Sequence, residues 1–386
     1  MSILKVDAIR SNSATSDAIT LDGNGKCAVT GTTITADTGK FTNLPNRNLI
    51  INGAMQVAQR GTSSTSDGYQ TVDRFQTEDG GANEAGTREQ VDVASGTTPY
   101  TLGFRKALKF TNGNQTSGAD AGDYIAIWQH IEAQNIVCSG WNYTSSSSYI
   151  TLSFWVKSSV AKTFLGLIRT HDGTNYNYPY STGAISADTW TKVTKTIPGN
   201  SNLVFNNDNG AGLTVEIWPY IGTSYTDSSV SLDAWKSYSG SARTPVDTGT
   251  NFWTTDNATF EITGVQLEVG DTATNFEHRS FSQELQLCKR YYEQTIPKLF
   301  MLGRYSHHNG APYSQYHFSV EKRTAPTCSS SGTFESSTGY AGSPSFTDTF
   351  ADATTIYGAN SVTAGGILYL HTGGSGNGVL KFSAEL

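Results

Sequence analysis

The sequence alternates apolar and polar residues with a period of two over many short segments, and this pattern constrains the fold more than any other feature. The clearest example is YITLSFWVKS, residues 149–158. One face of this segment carries Ile150, Leu152, Phe154 and Val156, and the other carries Thr151, Ser153, Trp155 and Lys157. Successive side chains of a β-strand point to opposite faces of a sheet, so the period predicts half-buried strands. We therefore expect an all-β protein.

The same alternation recurs between clusters of Gly, Asn, Asp and Pro, which favour turns. Between residues 47 and 279 the further predicted strands are 107–111, 126–130, 163–169, 190–197, 213–218 and 259–269. Roughly seven to nine strands in about 220 residues predict two antiparallel sheets packed face to face.

Composition supports this fold class and excludes several functions. Charged residues are 15% of the 386, below the usual quarter, which suits short strands joined by polar turns. The formal charge of −7 argues against a nucleic-acid partner, whose phosphates need a basic surface. No apolar run is long enough to cross a membrane, and the first residues lack the apolar stretch of a signal peptide, so we expect no membrane insertion.

The four cysteines are widely scattered, at Cys27, Cys138, Cys288 and Cys328. They form no CxxC pair and no zinc-like spacing. We therefore expect ordinary thiols, with neither a disulfide framework nor structural zinc.

Residues 1–46 carry roughly ten sizeable apolar side chains among many polar ones, too few to bury a core alone. Fully extended, at about 3.3 Å per residue, this segment would span at most roughly 150 Å. Three chains wound together would share their thin apolar stripes. The segment therefore predicts a homotrimeric stem, while its low hydrophobicity also fits a flexible tail.

A helix is predicted over FSQELQLCKRYYE, residues 281–293, within a connector at 280–295. Ser280 and Gln283 have the spacing of a capping box. Helical spacing also places one apolar stripe on a single face, made of Phe281, Leu285, Cys288 and Tyr292. Residues 296–386 return to short alternating segments, and the last, GVLKFSAEL, predicts a strand that ties down the end of a second, smaller β domain.

Three segments carry a resemblance to a known family: NLIINGAMQVAQRG at 48–61, FEITGVQLEVG at 260–270, and the trailing FEHRS and ELQLCKRYYE. The first two are strand-like and are expected at opposite ends of one sandwich. Together the three segments resemble the carbohydrate-binding-like jelly-roll module of bacteriophage tail fibres, particularly those of cyanophages and other marine phages. The resemblance covers roughly residues 46–295.

This resemblance implies a stem at 1–46, a jelly-roll sandwich at 47–279, the connector helix at 280–295 and a C-terminal β tip at 296–386. It implies a homotrimeric receptor-binding fibre of the virion, synthesised in the host cytoplasm. Its stem would bind other tail or virion proteins, and the fibre would adhere to a host surface glycan or envelope protein. The alternative is a structural appendage without a receptor, such as a head fibre, decoration protein or tail adaptor.

Catalysis is not expected. Glycoside hydrolysis needs two carboxylates about 5–10 Å apart, and no short motif pairs two acids on a recognised active-site strand. A GxSxG nucleophile elbow is absent from the sequence. A polysaccharide depolymerase is therefore the least favoured alternative, and no cofactor is expected.

One metal site is implied by the resemblance. Jelly-roll sugar-binding modules often hold a structural Ca²⁺ with oxygen ligands between their first and last strands. Asn52, Gln266 and Glu268 lie in the matching segments. A buried Glu268 that accepts backbone N–H groups explains that residue equally well.

Aromatic residues indicate where a glycan would bind, because sugar rings stack on Tyr and Trp. Tyr176, Tyr178 and Tyr180 alternate and would share one face of an extended segment, as a sugar platform or as sandwich packing. A second candidate cluster lies in the C-terminal domain, where a fibre would meet its receptor: Tyr305, His307, His308, Tyr313 and Tyr316. Ordinary loop composition is the alternative there.

Overall fold

The computed structural model of the chain describes residues 46–247, 249–296, 314–332, 334, 343–357 and 377–386 in full. It describes the backbone alone of residues 8–9, 19–21, 27–29, 300–304, 313, 335–336 and 367–371. The chain divides into two compact units, Met1–Leu44 and Pro45–Leu386.

The first unit contains three short strands, β1 (Ala8–Ile9), β2 (Ile19–Leu21) and β3 (Cys27–Val29). They pair in chain order as an antiparallel sheet. The backbone therefore reverses direction twice between Ala8 and Val29, so this stretch is not a single extended strand. Trimeric association of the segment stays a prediction.

The second unit begins with a β-sandwich of two six-stranded sheets. The first sheet has the order β14-β11-β10-β13-β8-β5 and the second has the order β12-β9-β15-β7-β6-β4. Their strands are β4 (Ser63–Ser64), β5 (Gln76–Gly80), β6 (Thr87–Asp92), β7 (Lys106–Thr111), β8 (Tyr124–Glu132), β9 (Tyr149–Ser158), β10 (Lys162–Thr170), β11 (Tyr176–Ile185), β12 (Thr191–Pro198), β13 (Ala211–Ile221), β14 (Lys236–Ser237) and β15 (Thr259–Val269).

Short helices join these strands: α1 (Thr98–Thr101), α2 (Ala133–Val137), a 3₁₀ turn (Thr223–Tyr225) and α3 (Asn251–Thr254). All the paired strands of the sandwich run antiparallel. Within the described residues, no helix is long and apolar enough to span a bilayer.

The core lies between the two sheets and follows the alternation of the sequence. In β9 the four predicted inward residues are 0% exposed, as are Phe164 of β10 and Phe260 of β15, whose rings lie 4.9 Å apart at 74°. Each large aliphatic or aromatic side chain buried in this way stabilises the fold by about 1.5–3 kcal/mol. The predicted all-β jelly-roll sandwich is confirmed.

The segment 48–61 is not a strand, contrary to prediction. Asn52 and Met55 have φ of 61° and 58°, a left-handed conformation that a strand cannot contain. The Asn52 side chain replaces strand hydrogen bonds, since its amide donates to Val57 O at 2.8 Å and accepts from Val57 N at 2.9 Å. Asn48 accepts from Leu267 N at 3.0 Å, so the segment is nevertheless tied to β15.

Helix α4 (Phe281–Lys289) has the predicted capping box at Ser280 and Gln283. The helix ends at Lys289 rather than Glu293, and its predicted apolar stripe is buried at Cys288 and Tyr292 but not at Phe281. Phe281 is 55% exposed, whereas Glu284 and Cys288 are buried. The reason is that Glu284 accepts a hydrogen bond from Asn52 N and pairs with Arg279 at 3.5 Å, which holds that face of the helix against segment 48–61.

Where the structure describes the C-terminal module, it contains three three-stranded sheets with the orders β16-β24-β19, β17-β23-β20 and β18-β22-β21. Its buried core is made of Phe318, Phe334, Ile356, Leu380 and Phe382. The strands are β16 (Tyr292–Thr295), β17 (Phe300–Arg304), β18 (Tyr313–His317), β19 (Thr327–Ser331), β20 (Glu335–Ser336), β21 (Ser345–Thr347), β22 (Ala353–Tyr357), β23 (Ile367–His371) and β24 (Val379–Ser383).

A buried ionic cluster joins the sandwich to the C-terminal module. The Arg74 guanidinium is fully buried, lies 3.5 Å from the centre of the Tyr291 ring, donates to His130 O at 2.7 Å and pairs with the Glu385 carboxylate. Burial acts to lower the pKa of Arg74, but the Glu385 charge outweighs it and raises the pKa. Beside it the Tyr291 hydroxyl donates to Glu132 at 2.5 Å.

We expect Glu385→Ala to lower the free energy of unfolding of the full chain by about 3–5 kcal/mol, because it leaves Arg74 charged, buried and without its counter-ion. Urea denaturation followed by intrinsic fluorescence measures this. Glu321→Ala, at an exposed carboxylate of the same module, should change stability by no more than about 0.5 kcal/mol. Equal effects of the two substitutions would show that the Arg74–Glu385 pair does not join the modules.

Candidate functional site

The outer face of the first sheet carries a row of aromatic and charged side chains. In β8 the side chains that alternate with the buried Ile125, Ile127 and Ile131 point outward, which places Tyr124 and Trp128 on this face. Trp218 lies beside them on β13. We call the surface formed by Tyr124, Trp128, Trp218, Tyr225 and Tyr238 the aromatic face.

The segment that follows β13, residues 222–247, forms one wall of the aromatic face. It folds back over the edge of the sheet, where β14 pairs with β11. The Asn177 side-chain amide donates to Arg243 O at 2.6 Å, Arg243 N donates to Tyr225 O at 2.7 Å, and Tyr238 N donates to Asn175 O at 2.8 Å. These bonds hold Tyr225 and Tyr238 over the outer surface of the sheet.

The rings of the aromatic face form a connected cluster. Trp218, which is 1% exposed, lies at its base, with ring centres 5.7 Å from Tyr124 and 6.3 Å from Trp128. Tyr225 packs edge-on against Tyr124 at 5.6 Å and 89°. Tyr124 and Trp128 are half-buried, so part of each ring faces solvent. The cluster therefore combines a rigid base with accessible ring surface.

Two arginines lie among these rings. The Arg169 guanidinium is 3.8 Å from the centre of the Tyr238 ring, and that of Arg243 is 4.8 Å from the Tyr225 ring. Both distances are within the range of favourable cation–π contacts. Among the described residues, neither Arg169 Nε nor the Trp128 indole N–H has a hydrogen-bond acceptor, although both atoms are buried. Both atoms have almost no exposed surface, so ring packing rather than hydrogen bonding holds them, and a ligand on this face would contact the rings.

Glu216 lies directly across from Trp128 in the ladder between β13 and β8. Burial raises the pKa of its carboxyl from 4.5 to about 7, although the positive charges of Arg169 and Arg243 act in the opposite direction. Near neutral pH a large fraction of Glu216 is therefore protonated, and the carboxyl can donate as well as accept a hydrogen bond.

Two histidines extend the same face. Thr214 Oγ1 lies 2.6 Å from His130 Nδ1 and 2.5 Å from His171 Nε2. One hydroxyl carries one proton, so one imidazole accepts from Thr214 and the other donates to it. Burial lowers the pKa of His130 to about 3 and that of His171 to about 4. Both rings are therefore neutral at physiological pH.

The predicted tyrosine platform is wrong. Tyr176, Tyr178 and Tyr180 do share one face of β11, but that face points into the sandwich. Tyr178 and Tyr180 are 3% and 0% exposed, and Tyr176 packs against the same core. The Tyr180 hydroxyl donates to Glu216 O at 3.0 Å, so its polar end is satisfied within the protein. The packing alternative explains these residues.

The second predicted cluster is described only in part. Tyr305, His307 and His308 lie outside the described residues, and of Tyr313 only the backbone, in β18, is described. Tyr316 is half-buried and stacks on Phe382, with ring centres 5.0 Å apart at 19°. Because that contact belongs to the core of the C-terminal module, Tyr316 is packing rather than a receptor contact.

The residues predicted to hold Ca²⁺ are engaged by protein donors. Glu268 accepts from Thr274 N at 2.8 Å and from Thr274 Oγ1 at 2.6 Å, and pairs with Arg47 at 3.3 Å. Gln266 Oε1 accepts from the Glu277 backbone at 2.8 Å. Asn52 turns its amide toward other partners, Val57 and Asp73. Across the described part of the chain, no three His, Cys, Asp or Glu side chains are grouped to hold a metal.

The sequence reasoning did not single out the aromatic face. Its signal is present in YIAIWQHIE, residues 124–132, where Tyr124, Trp128 and His130 fall on the side of the strand opposite the isoleucines. A strand whose solvent-facing side carries Tyr, Trp and His differs from one that carries Thr and Ser. Tyr225, Tyr238 and Arg243 carry no such signal, because only the fold of segment 222–247 brings them there.

No protein-family model matches the sequence, and no curated protein sequence does. Among solved structures, the chain is similar to the enzymatically active domain of tailspike protein 4 of Bacteriophage CBA120, with 14% identity over 58% of this chain and 21% of that chain and a TM-score of 0.30. This chain thus spans about a fifth of that tailspike domain.

Two further structures cover most of their own length. A putative sugar binding protein from Bacteroides thetaiotaomicron matches 58% of this chain and 100% of its own, with 12% identity and a TM-score of 0.31. The N-terminal cellulose-binding domain of Cellulomonas fimi β-1,4-glucanase C matches 56% of this chain and 99% of its own, with 10% identity and a TM-score of 0.27. At such TM-scores the similarities carry no argument about function.

We expect Glu216→Gln to change the pH dependence of stability. The pKa of Glu216 is raised on folding, so wild-type protein loses stability as the pH rises from 4.5 toward about 7. At about 1.4 kcal/mol per pKa unit, the loss is roughly 3 kcal/mol. The variant should match wild type near pH 4 and be more stable near pH 8, as measured by urea denaturation. Asp256→Asn, at an exposed carboxylate, is the control, and an unchanged pH slope in Glu216→Gln would contradict the expectation.

Proposed function

We propose that this chain is a receptor-binding protein of a bacteriophage tail fibre that adheres to glycans of the host surface through its aromatic face. The observation that carries the proposal is the placement of the half-buried Trp128 and Tyr124 rings around Trp218, with the half-buried Arg243 guanidinium 5.4 Å from the centre of the Trp218 ring. Sugar rings present apolar faces that stack on such rings and hydroxyl groups that accept hydrogen bonds.

The phage assignment rests on the sequence motifs. NLIINGAMQVAQRG, FEITGVQLEVG and the capped helix resemble tail fibre modules, and the contacts of Asn48 with β15 show that the first two segments pack together. The protein would act in the virion, by adhesion and without catalysis. Its N-terminal segment would bind other tail or virion proteins and associate into a homotrimer.

Trimerisation matters to this function because single sugar contacts are weak. Three copies that engage together raise the effective affinity by roughly 10²–10⁴ without any new contact. Several fibres on one particle would extend the same gain.

We expect the full chain to sediment as a trimer, with three times the mass of one chain, because the N-terminal segment has too little apolar surface to bury alone. Analytical ultracentrifugation measures this, and removal of residues 1–44 should reduce the mass to that of one chain. A full-length monomer would contradict the trimeric fibre.

We expect Trp128→Ala to weaken binding to neutral host glycans by about tenfold, the value of one lost stacking contact. Binding of the full chain to a glycan array and to isolated envelope polysaccharide measures it. Tyr143→Ala, at a half-buried aromatic residue packed against Phe205 away from this face, is the matched control.

The outcomes of this binding experiment distinguish a receptor-binding fibre from a structural appendage and from a depolymerase. No binding by wild-type protein to any host glycan or envelope fraction would favour a structural appendage. Release of reducing ends from the polysaccharide would show a depolymerase. Binding that Trp128→Ala leaves unchanged would place the receptor site elsewhere on the chain.

A further inference from the structure

A cleft of about 470 Å³ lies on the outer face of the second sheet of the sandwich, on the side away from the aromatic face. Its floor is formed by Ser153 and Trp155 of β9, Lys192 of β12 and Gly264 of β15. Its walls are the last residue of α1 with the loop after it, residues 101–104, and the segment 274–278 that follows β15. We call it the lysine cleft. Its volume is within the range of about 300–1,000 Å³ usual for small-molecule sites.

A hydrogen bond and an aromatic contact join the two walls of the lysine cleft. His278 Nε2 lies 2.9 Å from Leu102 O and joins the two segments by a hydrogen bond. The rings of Phe104 and Phe276 pack edge-on at 4.9 Å and 70°. Gly264 has φ of 64°, and a Cβ there would lie 2.6 Å from the Phe104 ring. The missing side chain therefore lets Phe104 lie against the floor.

A network below the cleft also holds the second wall in place. Glu268 accepts two hydrogen bonds from Thr274, and the Glu277 backbone donates to Gln266. Arg47 pairs with Glu268 at 3.3 Å and Arg279 pairs with Glu277 at 3.4 Å, so both of these carboxylates have a cationic partner. The cleft is therefore formed before any ligand arrives, which lowers the ordering cost of binding.

The electrostatics of the cleft differ from those of the chain as a whole, which carries −7. None of the lining residues is acidic. Lys192 is exposed, and within the described part of the chain no carboxylate lies within 4.0 Å of its ammonium group. It is directly opposite Trp155 in the ladder between β12 and β9. One free positive charge thus lies next to one half-buried indole.

We propose that the lysine cleft binds a hexuronate unit, a pyranose ring that carries a carboxylate. The ring would stack on Trp155, the carboxylate would pair with Lys192, and the Ser153 hydroxyl and Asn275 amide would bond the ring hydroxyl groups. A phosphate ligand fits less well, because phosphate sites converge several cations or backbone N–H groups. The Trp155 indole beside the single Lys192 ammonium group favours a ligand with a flat ring and one negative charge.

The proposal assigns a second saccharide specificity to a site separate from the aromatic face, on the opposite side of the sandwich. The two proposed binding sites can be tested independently, and either proposal can fail without the other. Loss of the aromatic face would remove binding of neutral glycans, and loss of Lys192 would remove binding of acidic ones.

The test is isothermal titration of the full chain with a short oligoglucuronate and with the uncharged gluco-oligosaccharide of equal length. We expect Lys192→Met to weaken oligoglucuronate binding at least about tenfold, because the ion pair is lost, and to leave the thermal midpoint unchanged, because the side chain is exposed. Wild-type binding should also weaken as salt is added. Lys192→Arg should retain most of the affinity.

Lys195→Gln is the matched control, since Lys195 is on the same strand and, by the period of two, on the other face, where it lies 3.8 Å from Asp233. It should leave oligoglucuronate binding unchanged. The proposal is overturned if Lys192→Met binds oligoglucuronate as tightly as wild type or if wild type shows no binding at millimolar concentration. It is also overturned if Trp128→Ala, rather than Lys192→Met, removes the binding, since the acidic sugar would then occupy the aromatic face.

Discussion

The buried ion pair between Arg74 and Glu385 is the interaction on which the arrangement of the sandwich and the C-terminal module depends. A guanidinium without exposed surface is costly unless a counter-ion meets its charge. Arg74 meets this condition by pairing with Glu385, and its guanidinium also donates to His130 O and stacks on Tyr291. These partners come from distant parts of the sequence, so the modules must dock in one orientation to satisfy the charge.

Because the modules dock in this way, helix α4 and the residues after it are part of the packed structure. Tyr291 and Tyr292 are buried, and β16 begins almost immediately after helix α4, so the helix does not act as a free connector. The buried ionic cluster and the aromatic face share one strand. The His130 carbonyl that accepts from Arg74 belongs to β8, which also presents Trp128. Strand β8 therefore contributes both to the Arg74 cluster and to the proposed binding surface.

Local patterns predicted local structure well. The strand at 259–269 and the capping box at Ser280 are both present, because they depend only on side-chain period and on hydrogen bonds between near neighbours. The same reasoning failed for segment 48–61, where Asn side chains replaced strand pairing, and for Phe281, which was displaced from the buried face by Glu284. In segment 48–61 the bonds of the Asn52 side chain to Val57 outweighed the strand preference, and at Phe281 the distant contact between Glu284 and Asn52 outweighed the apolar pattern.

The sequence by itself determined that the chain is all-β, where most strands lie and which face of each is apolar, since period and composition are local properties. Only the tertiary structure decided which aromatic residues are accessible. Tyr178 and Tyr180 pack inward while Trp128 remains half-exposed, although all three alternate with neighbours of suitable type. The physical reason is that exposure depends on which sheet face is covered, and distant residues such as Tyr225 and Phe276 provide that cover.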